Sequence, residues 1–252
     1  MGAPAAEKIA LLEPHASNFR RDDLFVELAK AYNQNFQPEK ALQLLLSHVF
    51  VACEGGEHAI ADQYMYAWFQ LGMAKKAAGD WAGCYELLEK ALTLPKSLGS
   101  GIWNRCKYVP YQFHMAECLG HMGKKEDAQS IYRMILDIEV EFFSNMHLRE
   151  LPYYQALCAE ALGLQQKAWN IMARAKRDWS FNLDRKDNGF FSTTPFFISF
   201  AQGPAIARRA YYQYLLGLVK LYEGDRERAK ALFQESYAGN SDSLFCHYYA
   251  HL

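Results

Sequence analysis

The sequence has no long apolar run and no excess of charge of either sign. Lys, Glu, Asp or Gln interrupts every apolar stretch before it reaches the ~20 residues needed to cross a bilayer. The 27 Lys and Arg residues are balanced by 28 Asp and Glu residues, and no Lys/Arg run is dense enough to bind phosphates. We therefore expect neither a membrane-spanning segment nor a nucleic-acid partner.

Motifs of the common catalytic sites are also missing. The sequence contains no GxSxG elbow, no phosphate-cradling glycine loop, no HExxH pair and no dinucleotide-binding fingerprint. We therefore expect a protein that is not an enzyme and that holds no cofactor.

The six cysteines are scattered, and no CxxC pair exists. This pattern is typical of buried, reduced thiols in a reducing compartment. The N-terminal residues 1–8 lack the basic-then-apolar order of a signal peptide, so we expect a cytoplasmic location. His114, Cys118 and His121 are spaced for one helix face and suggest a zinc site, but a fourth ligand is not evident, so we expect no metal.

What the sequence does contain is a recurrent helical-hairpin pattern. Five times an apolar, helix-like stretch runs into a short polar turn and then into a helix centred on a small residue. A large apolar residue follows one turn later, as a single helix face requires. The turns begin at Asn35, Gly79, Gly123, Gly163 and Gly224; the small residues are Ala41, Cys84, Ala128, Ala168 and Ala229; the large residues are Leu45, Leu88, Tyr132, Met172 and Phe233. This pattern resembles tetratricopeptide repeats.

The resemblance predicts an all-α fold, an α-α superhelix or TPR-like solenoid of about five helical hairpins. We expect one domain over residues 1–252. The small residues lie farther apart than the roughly 34 residues of a regular unit, so long connections are expected, and these often carry recognition surfaces in solenoids. The predicted hairpins lie near 22–52, 63–95, 109–138, 149–177 and 209–240, with a capping helix at 242–252 and connections at 49–62, 95–108, 139–148 and 178–208.

A second resemblance rests on an acidic double-glycine element. The stretch Cys53-Glu54-Gly55-Gly56-Glu57-His58, followed by Tyr64 and Leu71-Gly72, resembles the C-terminal repeat region of certain large bacterial proteins of unknown function. In those proteins a β-rich domain similar to sugar mutarotases and carbohydrate-active enzymes precedes the repeats. The later segments 189–197 and 214–218 are similar to the end of that region. The resemblance implies a helical partner region within a carbohydrate-related protein.

Glu54 and Glu57 allow two interpretations. The glycines between them permit a tight turn while the carboxylates cap the following helix. Alternatively, both carboxylates hydrogen-bond sugar hydroxyls or a basic peptide group.

Aromatic residues make up 15% of the chain, which is more than a plain helical scaffold needs. In this repeat class the first helix of each hairpin lines a concave groove, where aromatic faces can hold a peptide or stack on a sugar ring. For the tyrosines, packing within the repeat is an equally good explanation. The repeat register points Tyr66, Gln70, His114, Glu117, His121, Tyr153, Tyr154 and Tyr214 toward this groove.

Two function classes remain. The fold favours a non-catalytic scaffold that binds a protein or peptide partner, or an upstream domain of the same protein, through the groove and the connections. The alternative is a carbohydrate-binding accessory region of a glycoside-processing protein, with a glycan as ligand.

Overall fold

The structure is a computed structural model that describes residues 4–51, 58–99, 101, 108–139, 150–183, 204–241 and 243–251. All regular secondary structure in these ranges is helical, which confirms the predicted all-α fold of TPR-like hairpins. No helix in the same ranges has the length and apolar character needed to cross a bilayer.

The chain divides into two compact units, residues 2–128 and residues 129–252. The helices of the first unit are α1 (Ala5–Leu12), α2 (Asp22–Gln34), α3 (Pro38–Leu46), α4 (Ala59–Ala77), α5 (Trp81–Ala91) and α6 (Val109–His121), with short 3-10 helices at Glu13–Asn18 and Lys96–Leu98. Helix α7 (Lys125–Leu136) contains the division. The second unit continues with α8 (Leu151–Ala161), α9 (Gln165–Leu183), α10 (Pro204–Tyr222), α11 (Arg226–Gly239) and α12 (Leu244–Ala250).

The turns between paired helices follow one local design. Gly79, Gly123, Gly163 and Gly224 all adopt the left-handed conformation, with φ from 76 to 81°. The residue after each glycine donates its N–H to a carbonyl five residues back, as Asp80 does to Lys75 at 3.0 Å. These bonds satisfy carbonyls that the end of the helix leaves without partners. The turn positions predicted from glycine are therefore confirmed.

The first hairpin departs from this design at its turn. Phe36 has a φ of 54° where the other turns carry glycine, and its side chain is 52% exposed. A residue with a Cβ has a steric clash in the left-handed region that glycine, which lacks this atom, avoids.

Phe36→Gly is therefore expected to raise the free energy of unfolding by about 0.5–1 kcal/mol, because it relieves this strain. Urea unfolding of the purified chain measures the change. The matched control is Gly163→Ala, where an added Cβ meets no atom within 4 Å but φ is 77°. That control should lose stability, and a stability loss in both variants would contradict the strain argument.

The predicted small residues do allow close helix packing. Ala41, Cys84, Ala128, Ala168 and Ala229 are all buried. On the first helices of two hairpins, a Cβ on Gly72 would meet Leu88 at 3.3 Å, and one on Gly217 would meet Phe233 at 2.5 Å. The predicted close approach at the Leu-Gly pairs is therefore confirmed.

Two expectations about these hairpins are wrong in detail. Tyr132 is only half-buried, because the buried line of α7 runs from Ala128 to Ile135 instead. The expected connection 178–208 includes the end of α9 and the start of α10. Helix α9 continues because Trp179, 5% exposed, extends its apolar stripe by another turn.

Candidate functional site

Three of the predicted groove residues lie along one face of α6. His114, Glu117 and His121 are spaced three and four positions apart, which places them in one row on a helix. Pro110 lies in the first turn of α6, where proline is tolerated, and the Gly123 turn ends the helix. We call these three residues the α6 stripe.

Lys76 of α4 meets the stripe at Glu117. Its Nζ lies 2.5 Å from Glu117 Oε2 and 3.1 Å from His114 Nδ1. Burial of the Glu117 carboxyl disfavours its charge, but His114 and Lys76 together outweigh burial and lower the pKa of Glu117 to about 2. The carboxylate is therefore ionised throughout the physiological pH range, with 30% of its side chain exposed.

His114 lies at the buried end of the stripe. Burial lowers its pKa, which outweighs the opposite influence of Glu117. The ring is therefore neutral at neutral pH and donates its Nδ1–H to Glu117 Oε2 at 2.5 Å. Its Nε2 is buried and has no hydrogen-bond partner among the described residues.

The exposed end of the stripe carries an aromatic stack. The rings of His121 and Trp81 are parallel within 2°, with centroids 3.7 Å apart. Trp81 is the first residue of α5 and is half-buried, whereas His121 is exposed. The site therefore combines a charged group with a flat aromatic surface, two features that proteins use to anchor peptide side chains.

Gln70 takes part in a separate amide network that joins α2 to α4. Asn33 Nδ2 donates to the backbone carbonyl of Gln63 at 3.0 Å and to its side-chain Oε1 at 2.9 Å. Gln70 Nε2 donates to Asn33 Oδ1 at 3.3 Å. Asn33 is fully buried. Because α2 and α4 belong to consecutive hairpins, the network links one hairpin to the next.

The four predicted groove tyrosines are buried within their units. Exposure is 0% for Tyr66, 5% for Tyr153 and 1% for both Tyr154 and Tyr214. A ring with so little exposed surface offers no face to a ligand. The placement favours packing, and a binding role for these residues stays a prediction.

Two further expectations concern acidic and metal sites. Glu54 and Glu57 lie outside the described residues, so their two interpretations stay open. Within the described ranges, no three His, Cys, Asp or Glu side chains come together as a metal site. Cys118 of the suggested zinc trio is fully buried.

Sequence reasoning missed a surface cleft of about 290 Å³ in the first unit. Lys40 Nζ lies 2.8 Å from Glu13 Oε1 and 5.3 Å from the centre of the Tyr32 ring. Burial, together with a hydrogen bond to Glu13, raises the pKa of Tyr32 to about 12. The residues that line the cleft come from separate helices, so no local sequence motif indicates it. It is lined by Glu13, Tyr32, Lys40, Gln43, Leu44 and Ser47.

Glycine turns, small buried residues and Schellman bonds give the described helices the local design of TPR-like helical hairpins. The tetratricopeptide repeat model matches residues 111–138, which cover most of α6 and all of α7. The α6 stripe therefore lies within the matched repeat.

Two solved structures are similar to the chain over most of its length. Both are of a Podosopora anserina protein described as a kinesin light chain with nearly identical TPR-like repeats. A variant of that protein is 17% identical and covers 90% of this chain and 96% of its own, with a TM-score of 0.34. The other structure is 16% identical, covers 96% and 98%, and has a TM-score of 0.32. The fold assignment rests on the hairpins themselves.

Proposed function

We propose that this protein is a non-catalytic scaffold that binds a peptide segment of a partner protein at the α6 stripe and its neighbours Lys76 and Trp81. The carrying observation is that α6 of the matched repeat supplies Glu117 to a partly exposed ion pair with Lys76 and the exposed His121 ring to a stack on the half-buried Trp81. Helical repeats stack into extended surfaces that commonly serve as binding surfaces for protein partners.

The neighbouring groups support a mixed polar and aromatic contact. The Lys76 side chain is 23% exposed and Glu117 is 30% exposed, so a peptide can reach both charges at modest desolvation cost. The stack of Trp81 on His121 is pre-arranged, so little side-chain entropy is lost when a peptide docks against it.

The test is selection of binders from a displayed peptide library, followed by calorimetry with the selected peptides. Trp81→Ala and His121→Ala should each weaken binding about tenfold, since each removes one half of the stack. The matched control is Glu86→Ala, a substitution at an exposed position of α5 outside the site. It should leave the affinity for the peptide unchanged. A library without binders, or binders insensitive to both stack variants, would refute the proposal.

A further inference from the structure

Helix α9 carries an exposed row of residues that its hairpin does not use for packing. Trp169, Ala173, Arg177 and Phe181 follow at intervals of four, which aligns them along one side of the helix. Trp169 is 62% exposed and Phe181 is 71% exposed. The opposite face buries Ala168, Met172, Ala175 and Trp179. We call the exposed set the α9 row.

The surface around this row is positively charged. Helix α9 has four Lys and Arg residues and one acidic residue, Asp178; one of the four, Lys176, forms an ion pair with Glu223 at 2.6 Å. The side chains of Arg174 and Arg177 are 80% and 77% exposed, and Asp178 lies 3.9 and 3.7 Å from them. Because these pairs are exposed, water screens them and leaves both guanidinium groups available to other carboxylates.

We propose that the α9 row is a second docking surface, which receives an acidic amphipathic helix of a partner protein. Rows of residues four apart are the ridges that fit into the grooves of another helix. The row spans about 18 Å, enough for roughly three turns of that partner. This surface lies on a different helix from the α6 stripe and goes beyond the function proposed above.

The residues of the row indicate two kinds of side chain that the partner helix must present. Trp169 and Phe181 need apolar side chains opposite them, because their rings are otherwise left in water. Arg177 between them needs a carboxylate, which its planar guanidinium binds through two parallel hydrogen bonds. Trp and Arg are also the residues that dominate binding energy at protein interfaces.

A protein partner fits better than nucleic acid or a membrane. Duplex binding commonly uses about 6–10 phosphate contacts, more than the cations of one helix supply. Insertion into a bilayer surface uses the apolar face of an amphipathic helix, and in α9 that face is buried in the protein.

The experiment measures binding of two synthetic amphipathic helices to the full chain by fluorescence anisotropy. Both peptides have the same leucine positions, and their polar positions are all glutamate in one and all lysine in the other. The glutamate helix should bind, and Trp169→Ala and Arg177→Glu should each weaken it at least about tenfold. Lys230→Glu makes the same charge change at an exposed position of α11 and should alter affinity less than about twofold.

Four outcomes would overturn the proposal. They are failure of the glutamate helix to bind, equal binding of the lysine helix, equal losses in Arg177→Glu and Lys230→Glu, and tighter binding of duplex DNA with the same dependence on Arg177. Trp169→Ala provides a second variant that does not depend on charge. None of these variants alters the α6 stripe, so this proposal and the proposed function can fail separately.

Discussion

Tyr214→Ala is expected to lower the free energy of unfolding by about 3–5 kcal/mol, as for other large-to-small aromatic changes in a core. The Tyr214 ring is 1% exposed and lies 6.0 Å from Phe233 and 6.3 Å from Tyr249, measured between centroids. Removing it leaves a cavity between α10, α11 and α12 that these packed neighbours cannot fully close. Urea unfolding with linear extrapolation measures the loss.

The matched variant is Tyr214→Phe. The Tyr214 hydroxyl is buried and has no hydrogen-bond partner among the described residues. Removing an unsatisfied buried hydroxyl while keeping the ring should leave stability unchanged or raise it by up to about 1 kcal/mol. If Tyr214→Ala keeps full stability and instead weakens peptide binding, the ring belongs to a groove and its assignment to the core is wrong.

This difference between core and groove marks the limit of sequence reasoning for this chain. The turn glycines and the buried small residues could be predicted because each has a local cause. A left-handed turn needs glycine, and a close helix crossing needs a small side chain. Both requirements repeat along the chain, as at Gly79 and Cys84, so the pattern is visible without coordinates.

The faces of the first helices could not be assigned in the same way. Helix α4 buries residues on nearly all sides, including Tyr66 and Gln70, because α2, α3 and α5 all contact it. Apolar periodicity identifies the buried stripe of an amphipathic helix. For a helix that is buried on all sides, it does not show which face points toward a groove. Helix α6 has one polar stripe, along which His114, Glu117 and His121 lie; their role in binding stays a prediction.

The partners of these residues depend on contacts between hairpins. Lys76 reaches Glu117 across 41 residues, and Asn33 reaches Gln70 across 37. Such pairs follow from how one hairpin stacks on the next, which small differences in helix crossing angle decide. A single sequence specifies the hairpin well and specifies this stacking only weakly.

A buried carboxyl in the second unit should make stability depend on pH. Glu150, just before α8, is 8% exposed and accepts a hydrogen bond, at 3.3 Å, from the Tyr211 hydroxyl of α10. No Lys, Arg or His of the described residues forms an ion pair with it. Burial raises the pKa of Glu150 to about 7, and hydrogen bonds from the Tyr211 hydroxyl and from its own backbone N–H only partly oppose this rise.

The sign of the effect follows from proton binding. Between the ordinary pKa of 4.5 and about 7, the unfolded chain has released the Glu150 proton while the folded chain still holds it. Folding therefore takes up a proton, and stability falls as pH rises through this range. Above the folded pKa the loss reaches about 3 kcal/mol and stays constant.

Glu150→Gln should remove this loss, because an amide keeps a polar group beside Tyr211 and carries no charge. The variant is expected to match wild type near pH 4.5 and to exceed it by about 3 kcal/mol at pH 8. Other groups also titrate, since burial lowers the pKa of His114, so the difference between variant and wild type is the quantity that isolates Glu150. Glu160→Gln, which removes an exposed carboxylate of the same unit, serves as the control and should retain the wild-type profile. Parallel profiles for wild type and Glu150→Gln would mean that Glu150 is already paired or solvated in the folded protein.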